Sequence, residues 1–103
     1  MLEFSGWAEE ILRRADEAAR RLNPDARVRL SRAPAAAVEL RTAAPAGAIT
    51  TELVDAARAG DTTVDVGGAV VYVAEGIEGL IDVEEPHDRI VLKPAGSPHN
   101  VKR

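Results

Sequence analysis

The chain has no cysteine among its 103 residues. That removes disulfides, thiolate metal sites, thiol nucleophiles and cysteine-held iron–sulfur clusters in one step. Aromatics are almost as scarce, with only Phe4, Trp7 and Tyr72. A series of stacking faces for single-stranded nucleic acid cannot be built from these, and the core must come from Val, Leu, Ile and Ala. There is no long basic run: acids and bases are interspersed and the net charge is −4, so a phosphate-neutralising stripe is missing. Arg27, Arg29 and Arg32 cluster on one segment and read as a solvated face, which makes nucleic acid an unexpected partner. No apolar run approaches a membrane span. The start Met1-Leu2-Glu3-Phe4 lacks a basic, then apolar, leader. The expectation is a cytoplasmic single domain over residues 1–94 with a flexible tail over 95–103, because two prolines, a glycine, a serine and a basic end fall together in Pro94–Arg103.

What is present organises into short elements. Ser5 is placed to cap a helix running to Leu22, with Glu9 and Glu10 near its positive end and Asn23-Pro24 closing it. Trp7, Ile11, Ala15, Ala18 and Leu22 form a stripe at spacings of three and four. Four acid-before-base pairs at i,i+4 occupy the opposite side: Glu9–Arg13, Glu10–Arg14, Asp16–Arg20 and Glu17–Arg21. Its balanced charge argues against membrane docking. Arg27–Ser31 and Ala36–Thr42 alternate and read as a hairpin around Pro34. Thr50 or Thr51 is placed to cap a short helix through Leu53, Val54 and Ala57, ended by Gly60.

The sharpest local pattern is Thr62–Val66, Gly67-Gly68, Ala69–Val73. A two-glycine turn pairs Val66 with Ala69, Val64 with Val71 and Thr62 with Val73. That register puts Val64, Val66, Ala69, Val71 and Val73 on one face and Thr63, Asp65, Val70 and Tyr72 on the other. Val70 and Tyr72 are therefore the candidate partner contact. Ile81–Glu84 and Arg89–Lys93 are two further strands around Glu85-Pro86-His87-Asp88. The order predicts an α+β fold of small, mostly antiparallel or mixed sheets with an N-terminal helix.

Chemistry has few places to reside. Ser5, Ser31 and Ser97 have no neighbouring histidine or nucleophile elbow. Glu84 and Glu85 point apart on a strand, and Gly67-Gly68 opens no helix that would cradle phosphate. Asp82, Glu84 and His87 are the candidate metal ligands, hard and borderline donors suited to iron or another divalent ion. The alternation sends Asp82 and Glu84 outward together. His99 reads as a solvated tail residue. No enzyme and no cofactor are expected.

Gly60-Asp61-Thr62-Thr63-Val64, Gly68–Val73, Leu80-Ile81-Asp82-Val83 and Ile90–Pro94 together resemble the HesB/IscA family, the A-type carriers of iron–sulfur cluster assembly. The first helix followed by Val28-Arg29-Leu30 is similar to the family's opening. The resemblance implies a HesB-like scaffold of small mixed sheets with a helix alongside. The family's ligands do not carry over. Arg32-Ala33-Pro34-Ala35 stands where an early loop cysteine would be, and Ala95–Val101 holds nothing like the cysteine–glycine–cysteine end. The implied function is a non-catalytic binding or assembly module with a protein partner or a second copy of itself. The alternative is a metal binder using carboxylate and imidazole ligands.

Overall fold

The computed structural model describes residues 2–32, 49–85 and 89–101. It is an α+β globule with β1 (Leu2–Phe4), α1 (Gly6–Leu22), β2 (Arg27–Arg32), β3 (Ile49–Val54), β4 (Thr62–Val66), β5 (Ala69–Val73), β6 (Gly79–Glu84) and β7 (Arg89–Lys93). Two mixed sheets form, one ordered β1-β6-β7 and the other β3-β2-β5-β4. β1 with β6 and β2 with β5 are the parallel neighbours.

Helix α1 begins where expected. Ser5 sits at φ −70°, ψ 158° and its hydroxyl accepts from the Ala8 N–H at 3.1 Å. The Ser5 N–H donates to the Ile81 carbonyl at 2.9 Å, so the cap residue also joins α1 to β6. The Glu10–Arg14 and Asp16–Arg20 pairs close at 2.6 and 3.2 Å. The buried stripe is turned from the expected one: Trp7, Ala8, Leu12, Asp16 and Ala19 face inward, Ala18 is exposed and Leu22 is 87% exposed. Alanine at so many positions leaves the helical phase to the large residues, and Leu12 sets it.

The β4–β5 hairpin has the register that the glycine turn demands, Thr62↔Val73, Val64↔Val71 and Val66↔Ala69. Gly67 and Gly68 take positive φ of 60° and 96°. The predicted short helix after Thr50 is instead strand β3. Ile49, Thr50, Thr51 and Val54 are β-branched, and β2 offers them a full antiparallel register from Arg32↔Ile49 to Arg27↔Val54. Ala36–Thr42, expected as the partner of β2, lies outside the described residues. β1 was not read from the sequence at all; three residues are too few to show a period.

The core gathers Trp7 and Leu12 of α1 with Val28, Leu30, Val71 and Ile81. Because β3 and β4 run in the same direction at opposite edges of one sheet, the connection 55–61 must travel back along it, across β2 and β5.

Candidate functional site

Three places in the described structure gather polar or exposed apolar side chains: the outer face of the four-stranded sheet, the Asp82 pocket and the groove beside β3.

On the outer face, Arg29 stands between Glu52 of β3 and Tyr72 of β5. It is buried, so this arginine is not part of a solvated face. The cause is the returning connection. Arg29 Nε and Nη2 each donate to Asp61 at 2.9 Å in a fork, and Nη1 donates to Glu52 at 3.1 Å. The Arg58 N–H also donates to Asp61 at 2.9 Å, and the Arg58 guanidinium lies 3.3 Å from Glu52. Hydrogen bonding from Arg29, then from the Arg58 N–H, holds Asp61 below the usual carboxylate range; Asp61 in turn raises Arg29. The network clasps the connection onto the sheet. Asp61→Asn removes one arm of the fork. We expect backbone amides of 55–61 to exchange at least tenfold faster while β2 and β5 stay protected, as read by hydrogen exchange. Val70 and Tyr72 share this face and are half-buried, with Asp65 and Thr63 opposite them on β4.

Asp82 does not point outward. It is wholly buried, and its oxygens are occupied. Oδ1 accepts from the Val83 N–H at 2.8 Å, and Oδ2 accepts from Lys93 Nζ at 2.8 Å and the Asn100 N–H at 2.9 Å. Burial, the largest single influence, pushes this carboxyl up. The Lys93 ammonium, the Asn100 N–H, the Ser5 hydroxyl and the Val83 N–H together outweigh it and hold the group at about 2. Glu84 is half-buried and lies 3.8 Å from Arg89. His87 lies outside the described residues, and His99 is exposed. Among the described residues no three His, Asp or Glu side chains converge on a point that would hold a metal ion. Asp82 is a structural carboxylate. Alternation alone could not show this, because Lys93 and Asn100 come from 11 and 18 residues away.

The third place was missed by the sequence reading. A groove of about 680 Å³ opens between the last turn of α1 and the end of β3, lined by Ala19, Leu22, Ala26, Leu53, Asp55 and Ala56, among others. Leu22 is 87% and Leu53 56% exposed, although both are large apolar residues. Arg58, also in the lining, is engaged by Glu52. Among the described residues Asp55 has no such ion pair. The signal lay in the sequence only as an apolar residue at the very end of a helix.

Comparisons with protein-family models, curated proteins and solved structures return no match for this chain. Among the described residues no helix is long and apolar enough to cross a membrane.

Proposed function

We propose that this chain is a non-catalytic binding or assembly module, on a scaffold that resembles the A-type carriers but has no thiolate with which to ligate a cluster. The observation that carries the reading is a division of labour among side chains. The buried ionisable groups Asp82, Asp61 and Arg29 are consumed by pairs that hold the fold, whereas Leu22 and Leu53 stand in solvent around a groove. Large apolar side chains exposed together around a concavity mark a contact surface.

The occupant that fits is an apolar segment of a partner protein carrying a basic side chain. The apolar part meets Leu22, Leu53 and Ala56, and the cation meets Asp55, whose neighbour Arg58 is already neutralised by Glu52. Two synthetic peptides serve as probes, one of leucine and lysine, one of leucine and glutamate, each titrated into the isotope-labelled chain. The lysine peptide is expected to move the amide resonances of Leu22, Leu53 and Asp55, and the glutamate peptide to bind at least tenfold more weakly. Leu53→Lys should weaken the lysine peptide at least tenfold by like-charge repulsion. Equal binding of both peptides, or shifts centred on Val70 and Tyr72 that Tyr72→Asp removes, would move the contact away from this groove. A doubled mass in light scattering that Leu53→Lys abolishes would make a second copy the occupant.

A further inference from the structure

The edge of β6 is covered in two different ways along its length. Leu2–Phe4 pair with Gly79–Ile81, and the Ser5 N–H takes the Ile81 carbonyl. There the chain turns into α1, so no strand continues beside Val83. Both backbone groups of Val83 are nevertheless satisfied, and by side chains. The N–H donates to Asp82 Oδ1 at 2.8 Å, and the carbonyl accepts from Asn100 Nδ2 at 2.8 Å. Asn100 adds its own N–H to Asp82 Oδ2 at 2.9 Å. One carboxylate and one carboxamide therefore stand in for the missing strand residue.

Among the described residues, the hydrogen bonds of the remainder of this segment run only within it. Ser97 returns its N–H and its hydroxyl to the Pro94 carbonyl at 3.2 and 2.6 Å, and Gly96 takes φ of 83° to make the turn. Gly96, Pro98, His99 and Val101 are exposed. Among the described residues, Asn100 is the one point where hydrogen bonds tie it to the sheet.

We propose that residues 94–101 are a detachable strap, held by Asn100, that guards the bare edge of β6 at Val83 and opens without unfolding the sheet. Detachment leaves Asp82 with the Lys93 ammonium at 2.8 Å and the Val83 N–H, so the buried charge stays paired. What opening uncovers is the Val83 carbonyl, one unpaired acceptor of β6 just past the end of its pairing with β1, to which an extended segment of a second copy of this chain can donate. The strap is thus a built-in competitor for strand addition at that position.

The test uses the full chain and two variants, Asn100→Asp, which sets a carboxylate oxygen against the Val83 carbonyl in place of the Nδ2 donor, and Asn100→Ala, which only deletes the carboxamide. In the unaltered chain the Asn100 amide should exchange at least tenfold more slowly than those of Gly96 and His99. Both variants should lose at least tenfold of that protection, Asn100→Asp the more, while amides of Ile81 and Val91 keep theirs. Light scattering should then show a mass that rises with concentration in Asn100→Asp and not in the unaltered chain. An Asn100 amide as fast as its neighbours, or loss of β6 and β7 protection in Asn100→Ala, overturns the detachable strap. A released strap with unchanged mass at every concentration overturns its guarding role.

Discussion

Replacing Asp82 by leucine should destabilise the protein by roughly 3–5 kcal/mol, the range for breaking a buried ion pair from one side. The carboxylate is wholly buried and Lys93 Nζ is 2.8 Å away, so the substitution strands an ammonium whose side chain is 20% exposed. It also removes the acceptors for the Val83 and Asn100 N–H groups. Asp82→Asn should be nearly as harmful: the Lys93 ammonium, the Asn100 and Val83 N–H groups and the Ser5 hydroxyl converge on two carboxylate oxygens, and a carboxamide turns one oxygen into a further donor. Adding Lys93→Met to Asp82→Leu should restore much of the loss, because an apolar pair leaves no orphaned charge. Urea unfolding of the unaltered chain, of Asp82→Leu and Lys93→Met singly, and of the double variant gives the coupling directly. Full additivity of the two substitutions would show that the pair is not coupled.

The same carboxylate makes a pH prediction. Its folded value is about 2 against 3.8 in the unfolded chain. A depressed acid stabilises above its unfolded value and ceases to do so as pH falls through the folded one. Asp82 therefore contributes about 2 kcal/mol above pH 4 that disappears between about pH 4 and pH 2. Asp61 is lowered as well and adds a decline of the same sign. The quantity to measure is thus the difference between the unaltered chain and the Asp82→Leu, Lys93→Met protein, whose unfolding free energy should fall less over that interval. Parallel curves would remove Asp82 from the account.

These two groups also mark how far the sequence could be read. Where structure is made by neighbours in the chain, it was legible. Ser5 and Asn23-Pro24 delimit α1, and Gly67-Gly68 sets every pair of the β4–β5 hairpin. Alternation and turn geometry agreed there, which leaves one register. Where structure is made by distant partners, local signals misled. Thr50, Thr51 and Gly60 have the chemistry of helix caps, yet β2 recruits Ile49–Val54 as a strand, and tertiary pairing outweighs a cap preference of about 1 kcal/mol. Arg29 and Asp82 are charged residues at outward positions by alternation. They are buried because the connection 55–61 brings Asp61, and the strap brings Asn100, over them. Of the candidate metal ligands, Asp82 is claimed by Lys93 and Asn100 for the same reason, and His87 lies outside the described residues. The groove escaped notice because Leu22 reads as the last rung of the buried stripe, when α1 turns Leu12 and Ala19 inward instead.

Gly79→Ala should destabilise by about 3 kcal/mol or more. Two separate penalties meet at this residue. Its φ of 120° lies in a region that side chains rarely adopt. A Cβ built there also lands on the backbone carbonyl oxygen of Lys93, closer than any real Cβ contact. That oxygen cannot yield like the end of a side chain, because Lys93 is fixed by the β6–β7 ladder, where Leu80 pairs with it, and by its ammonium on Asp82. Gly76→Ala isolates the first penalty. Gly76 has φ of 85° but nothing within 4 Å of its ideal Cβ, so it should cost only about 1–2 kcal/mol, the strain of a left-handed residue. The excess at Gly79 then measures the clash. Hydrogen exchange should show that excess in β6 and β7 amides, including Ile81 and Val91, with the β4–β5 hairpin least affected. If Gly79→Ala and Gly76→Ala lower the urea midpoint equally, the close approach of β6 to the Lys93 carbonyl does not limit what this position accepts.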